Sequence, residues 1–335
     1  MTLPTEYTPF LQWKSLAPLS AEAYRPDDRS GRVYCEDEQL QFVTEVAIVT
    51  QRPLLLRGEP GSGKSSFAPF IARILGWRYY EHTVTGRTEA RDLLWRFDAL
   101  RRLRDARDGQ RRKNISAVNY VTPGPLWWAF NRTKALSLPQ SLEPFPEVNA
   151  QSKEPRDPLR AVVLIDEIDK ADPNVPNDLL EVLGTNRFRV EEADMVVDRP
   201  LVPPAEGQHG SLLTVITTNE ERDLPAAFLR RCVVHTLGEP GDPEKKLQRL
   251  QTIAALHMQP LIDERNLTRD AAGEGNGDAM VKAVARKCLD LRTDPKKQRP
   301  SVAEFLDALR FCLTRGFTPT HDKWDVVEKS VLLKK

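Results

Sequence analysis

The stretch PLLLRGEPGSGKSSFAPFIARIL, residues 53–75, decides the fold. Its centre, Gly58-Glu59-Pro60-Gly61-Ser62-Gly63-Lys64-Ser65, fits the phosphate-loop pattern G-x-x-x-x-G-K-[ST] without a mismatch. The flanks suit the motif too: the apolar strand PLLLR precedes it, and a helical pattern, SFAPFIARIL, follows. Glycines let the backbone approach phosphate oxygens and turn successive N–H groups inward. The start of the following helix adds partial positive charge. In such a loop Lys64 reaches the β- and γ-phosphates and Ser65 ligates Mg²⁺. The candidate nucleotide contacts therefore run from Gly58 to Ser65 and include Ser66.

Four more short apolar runs lie outward from this stretch: YYEHTV (79–84), AVVLID (161–166), LLTVIT (212–217) and VVHTL (233–237). Continuous apolar strands alternating with helical patterns predict an α/β core with a parallel five-stranded sheet covered on both faces. A helix is expected from Glu36 to Thr50, with Leu40, Val43, Ala47 and Thr50 on one face, widened by Val46, and acids in its first turn. Residues 1–32, with Pro4, Pro9, Pro18 and Pro26, read as an extended arm. Five prolines make 139–158 a loop. Beyond Gly241 the strand signal stops. Helical patterns cover about 243–258, 278–292, 300–314 and 321–333, split by AAGEGNGD (271–278). The division is thus an arm (1–32), an α/β core (33–238) and an all-helical domain (239–335).

Two strand ends carry polar groups. AVVLIDEIDK is an apolar strand terminating in Asp166-Glu167, which places both carboxylates at the edge where open α/β sheets bind ligands. Asp166 suits the second coordination shell of Mg²⁺, and Glu167 suits the general base that polarises a water. The bland alternative is an acidic helix start, since Asp169 and Asp172 follow. LLTVITTNEE ends at Thr217, Thr218 and Asn219; by itself Asn219 would be a turn residue, but at this edge its amide can position a lytic water.

LPAAFLRRCVV (224–234) sets Arg230 and Arg231 side by side between apolar runs. Charges are costly to bury without partners. A solvated helix end is the simple explanation, because cations favour that pole of the helix dipole.

Bulk composition is ordinary. The 335 residues are 40% hydrophobic and 29% charged, with 49 basic and 48 acidic side chains and a net charge of +1, so no global charge favours nucleic acid or membrane. Cys35, Cys232, Cys288 and Cys312 lie far apart with no C-x-x-C pair, which predicts neither a zinc site nor a disulfide framework and fits a reducing cytoplasm. MTLPTEYTPFLQWKSL lacks the basic start and apolar core of a signal peptide. No window approaches the 18 or so apolar residues of a membrane span.

The ordered set resembles an AAA+ ATPase: GEPGSGKS as Walker A, VVLIDE as Walker B, TTN as sensor 1 and FLRR as the arginine-finger segment. The resemblance is closest to the MoxR-like branch, in the clade with an insertion in helix 2 (about 88–130) and a hairpin before sensor 1 (about 187–207). TEARDLLWRF, TPGPLWWAF and LIDEIDKADPNVPNDLLEVL support it, and it covers residues 33–315. It implies ATP and Mg²⁺, with catalytic roles for Glu167 and Asn219. It also implies a homo-oligomeric ring, by family habit a hexamer, in which Arg230 or Arg231 reaches a neighbour's ATP. The helical domain becomes a lid whose sensor 2 arginine is Arg299, immediately before Pro300 at a helix N1 position.

The family's work implies a separate partner or client, such as a von Willebrand A-domain protein, in a chaperone-like or prokaryotic conflict system. Residues 96–114, RFDALRRLRDARDGQRRKN, carry eight Arg/Lys against three Asp. This basic insertion keeps a competing reading in view, a nucleic-acid motor or loader resembling McrB-type proteins. A slow regulatory switch is a third. Trp127 and Trp128 are expected in the core or at a subunit interface rather than stacking on bases.

Overall fold

The computed structural model of the chain describes residues 10–11, 13, 31–35, 37–107, 115–139, 141–144, 156–200, 212–238, 241–267, 276–293 and 299–333. The apolar runs form the expected sheet. Strands β1 (Leu54–Arg57), β2 (Trp77–Thr83), β5 (Asp157–Asp166), β8 (Leu212–Thr218) and β9 (Val233–Thr236) are all parallel, in the order β2-β5-β8-β1-β9. β8 is buried along its whole length, as a central parallel strand covered on both faces must be. The register sets Ile165 beside Ile216 and Arg57 beside Thr218, so β5, β8 and β1 end level.

Two antiparallel pairs decorate this core. β3 (Trp95–Phe97) pairs with β4 (Val121–Pro123) within residues 88–130, and β6 (Arg187–Val190) pairs with β7 (Met195–Asp198) within residues 187–207. The Trp95 and Phe188 rings stack at 5.6 Å and 4°, and Trp95 Nε1 donates to Glu192 at 2.9 Å, joining insertion to hairpin. Trp127 and Trp128 lie in this core, 0% and 3% exposed, on helix α4 (Pro125–Phe130), which α5 (Arg132–Leu136) and α6 (Val175–Thr185) follow in the chain.

Sequence and structure differ in several elements. Helix α1 spans Glu38–Thr50, but its buried face is Leu40, Thr44, Glu45, Ala47 and Ile48; Thr50 is exposed, and Val43 and Val46 are half-buried. The two polar residues are tolerated because they are bonded: Thr44 donates to Leu40 O at 2.6 Å, and Glu45 accepts the Leu11 N–H at 2.9 Å. β5 begins at Asp157, so Pro158 belongs to a strand and not to the loop; it sits where the β2–β5 register slips, a place where proline does least harm to the ladder. Residues 145–155 of that loop, and all but five residues of the 1–32 arm, fall outside the described residues.

The described chain forms two compact units. One comprises Met1–Gln12, Glu38–Arg57 and Ile71–Thr236 and contains the sheet; the other comprises Trp13–Asp37, Gly58–Phe70 and Leu237–Lys335. In the second unit, the C-terminal helices are α8 (Pro243–Asn266), α9 (Asn276–Thr293), α10 (Val302–Arg315) and α11 (Trp324–Val327). α8 passes the expected stop at 258 through a kink: Met258 is non-helical (φ −132°, ψ 15°) just before Pro260, which lacks the N–H and crowds the preceding turn. α9 starts within AAGEGNGD, because the Asn266 side chain accepts the N–H groups of Gly277 and Asp278 at 3.0 and 3.1 Å. A Cβ on Gly277 would fall 2.2 Å from Ile262 O, so glycine permits this approach. The last expected helix is instead the short α11 followed by a π-helical turn, Glu328–Leu332.

Candidate functional site

The phosphate loop leaves β1 at Gly58 and ends in α2 (Lys64–Leu75). Gly58, Gly61 and Gly63 adopt φ of +140°, +74° and +96°, the region that favours glycine. The surroundings are as restrictive as the backbone. A Cβ on Gly61 would meet Ser301 Cβ at 2.5 Å, and one on Gly58 would meet Leu237 O at 2.8 Å. Lys64 is 5% exposed, and its Nζ donates to Gly58 O at 2.6 Å and Glu59 O at 2.8 Å. The ammonium is thus fixed inside the loop that the motif assigns to phosphate. Ser65 and Ser66 are the next residues of α2, Ser66 being exposed.

Tyr34 closes one side of this loop. Its ring stacks on Phe70 at 5.4 Å and 26°, its hydroxyl lies 3.4 Å from where a Gly63 Cβ would stand, and burial pushes its phenol well above the ordinary range.

Arg299 also belongs to this unit, with Nη1 3.3 Å from Glu59 Oε1 of the loop. Both side chains are about two-thirds exposed (64% and 66%), so the pair adds little stability. Its helical context needs correction. Pro300 is not at N1: α10 begins at Val302 with Ser301 as N-cap, where Ser301 and Glu304 form a reciprocal capping box, Ser301 N to Glu304 at 2.7 Å and Glu304 N to Ser301 Oγ at 3.3 Å. Two satisfied backbone donors outweigh the preset φ of proline.

The carboxylates Asp166 and Glu167 meet Asn219 in the sheet unit, where β5 and β8 end side by side. Asp166 is 2% exposed and accepts from Thr217 Oγ1 at 2.6 Å. Glu167 follows in the left-handed region (φ 61°, ψ 50°), a conformation costing about 1–2 kcal/mol for a non-glycine residue. Its Oε1 accepts from Asn219 Nδ2 at 3.3 Å and its Oε2 from Lys170 Nζ at 2.7 Å. That bond raises the Lys170 pKa and keeps the amine charged. The structure therefore brings Glu167 and Asn219 into direct contact.

Asp166 and Ser65 are hard oxygen donors of the kind Mg²⁺ takes when it keeps several waters and one or two protein ligands. The Thr217 bond orients the buried Asp166 carboxylate. No group of three or more His, Cys, Asp or Glu among the described residues could cage a metal by protein atoms alone. Each of the two donors, taken by itself in its own unit, has the chemistry Mg²⁺ prefers.

Arg230 and Arg231 follow α7 (Ala226–Leu229). Phe228 is fully buried and Cys232 is 8% exposed, so the segment is anchored on both sides of the pair. Both arginines are exposed. Neither guanidinium has an ion-pair partner among the described residues, whereas the backbone is held: Arg230 N–H donates to Ala226 O at 3.1 Å, Arg231 N–H to Phe228 O at 3.0 Å, and the Arg230 carbonyl accepts from Arg52 Nη1 at 3.3 Å.

In the insertion, helix α3 (Ala99–Arg107) has no buried residue, and Leu100 and Leu103 are 68% and 50% exposed. Its inner side is held by Arg101 over Tyr120 and Arg102 over Phe97. The remainder of the basic stretch, 108–114, lies outside the described residues.

Three site residues were not singled out from sequence: Asp169, Lys170 and the Thr217 hydroxyl. Asp169 is 3% exposed, and its Oδ2 accepts the N–H groups of Asn219 and Glu221 at 3.2 and 3.0 Å. The only sequence signal was the acid cluster after Glu167, which reads equally well as a helix start. None of the four cysteines is in a disulfide; burial pushes the thiols of Cys232, Cys288 and Cys312 up to about 12. No described helix is long and apolar enough to cross a membrane.

No curated protein matches the chain. Among solved structures, it is similar to a Cytophaga hutchinsonii protein provisionally described as an ATPase, at 15% identity and a TM-score of 0.40, over 91% of this chain and 83% of that one. The family described as AAA domain (dynein-related subfamily) matches residues 53–232, which include the phosphate loop, Asp166, Glu167, Asn219, Arg230 and Arg231. The match spans more than half of the sequence, and the chain belongs to this AAA domain family.

Proposed function

We propose that the protein is an ATP-hydrolysing AAA+ ring of the MoxR-like type that remodels or activates a separate partner protein in the cytoplasm. The observation that carries the reading is the Glu167–Asn219 contact at the level ends of β5 and β8. A carboxylate and an amide joined at this edge are suited to hold one water, the carboxylate taking its proton as general base and the amide fixing its direction. Gly58 to Ser66 would bind the nucleotide phosphates, with Lys64 as their cation. Ser65 and Asp166 would hold Mg²⁺, which when bound neutralises charge on the phosphates. Arg299 would act as sensor 2. ATP is the default nucleotide, since no residue reads as a guanine-specific acceptor.

Ring assembly, by family habit hexameric, is supported by Arg230 and Arg231, two exposed cations on an anchored segment. Such a pair has a use if it serves a second copy's nucleotide. A protein client, for which a von Willebrand A-domain or another operon-encoded protein remains the family expectation, fits α3 best. Two leucines exposed beside Arg104 and Arg107 contribute nothing to phosphate contacts but suit an apolar protein surface.

Glu167→Gln tests the reading. It is nearly isosteric, so ATP binding should persist while turnover falls at least about tenfold, the typical weight of a general base. With ATP present the stalled protein should retain its client in affinity capture. Wild-type turnover would remove Glu167 from the mechanism.

The arginines of α3 support a second reading, a McrB-type nucleic-acid motor. Changing Leu100, Leu103, Arg104 and Arg107 to serine should leave basal hydrolysis intact while abolishing client stimulation. Stimulation of the wild type by DNA or RNA, steeply weakened by salt and lost in this variant, would favour the motor instead.

A further inference from the structure

We propose that Thr217 and Asp169 are the positioning residues of hydrolysis, setting Glu167 against Asn219 by two bridges between neighbouring strand ends. The inference rests on the reading of Glu167 and Asn219 given above. The first bridge runs from β8 to β5. The Thr217 hydroxyl, 1% exposed, donates to Asp166 Oδ1 at 2.6 Å and accepts the Glu167 N–H at 2.9 Å. One buried hydroxyl thereby fixes the Mg²⁺-side carboxylate and the backbone of the base together. It also supplies a partner to the peptide that carries Glu167 in its left-handed conformation.

The second bridge runs the other way. Asp169, on the turn after β5, gives its Oδ2 to the N–H groups of Asn219 and Glu221, on the turn after β8. Between them Glu220 is also left-handed, at φ 59°, so this carboxylate fastens a turn that would otherwise relax. The other Asp169 oxygen is buried without a hydrogen-bond partner. The cation beside it, Lys170, bonds Glu167 instead. Asp169 is thus held in the interior by the two backbone bonds that aim Asn219. Each loop depends on a side chain from the other, and the 3.3 Å contact between the Glu167 and Asn219 side chains is what the two bridges jointly fix. Neither residue needs to touch substrate for this.

The test compares kcat and KM for ATP in four full-chain variants, with Glu167→Gln as reference. Thr217→Val removes the hydroxyl at constant shape, and Thr217→Ser keeps it. Asp169→Ala removes both acceptors, and Asp169→Asn keeps one oxygen. Turnover is expressed per competent site, counted by titration with a non-hydrolysable ATP analogue. Thr217→Val and Asp169→Ala should lower kcat by about tenfold to a hundredfold, the effect of small misplacements, with little change in KM. Thr217→Ser and Asp169→Asn should recover most of it. Unchanged kcat in the first two, while Glu167→Gln is impaired, would overturn this inference alone; wild-type turnover in Glu167→Gln as well would overturn the reading beneath it. Equal losses in the conservative and non-conservative variants also overturn it. If Thr217→Val fails to fold, the contrast between Asp169→Ala and Asp169→Asn decides.

Discussion

Alanine at both Arg230 and Arg231 is expected to lower ATP turnover by about 10³–10⁵, the weight of an arginine supplied to a transferring phosphoryl group, while nucleotide binding to the phosphate loop persists. Truncating these side chains does not touch the fold, because the segment is anchored by Phe228 and Cys232 and the two guanidiniums are exposed. The decisive measurement is complementation in trans. A Lys64→Ala subunit keeps its arginines but lacks a working site, and the double-arginine variant keeps its loop but offers nothing to a neighbour. Each alone should be nearly inactive. Mixed, they should regain hydrolysis in proportion to the mixing ratio, and lose it at dilutions where assemblies dissociate. Mixed assemblies that form yet stay inactive would show that the pair does not act between subunits, as would normal hydrolysis by the double variant alone.

Lys64→Ala should abolish tight ATP binding. The ammonium is the one cation inside a loop whose glycines are enforced by both backbone angle and neighbouring atoms. Its loss also removes two bonds to Gly58 and Glu59 carbonyls, so the loop loses its internal tie together with its charge. Direct titration with ATP and Mg²⁺ measures this. Near-normal affinity would mean the loop does not hold phosphates.

The sheet was legible because its inner strands are apolar runs, LLLR in β1, AVVLID in β5 and LLTVIT in β8. The edge strands β2 and β9 admit Arg78, Glu81, His82 and His235 and were legible from the shorter runs YY and VV. Lys64, Asp166, Glu167 and Asn219 were legible because each stands where such a run stops or a glycine loop begins. The Thr217 and Asp169 bridges were not, since they join residues about fifty positions apart and only strand order β5-β8 makes them neighbours. The α1 face was misread because periodicity counts apolar side chains, whereas Thr44 and Glu45 are buried by virtue of their hydrogen bonds. The start of α10 went to Ser301 and not Pro300 because a capping box needs Glu304 three residues on, a signal present in RPSVAEF but passed over.

The interleaving of the two compact units has a consequence for biogenesis. Gly58–Phe70 belongs to the unit completed by Leu237–Lys335, so the phosphate loop gains Leu237 and Ser301 as neighbours only when the last third of the chain exists. A ribosome-bound fragment ending at Thr236 has the sheet and both carboxylates but an unfinished loop. Folding must wait for contacts made over about 180 to 240 residues, a long-range closure that is intrinsically slow. A chain truncated after Thr236 is therefore expected to bind ATP more weakly than one that includes Ser301, which direct titration of the two measures.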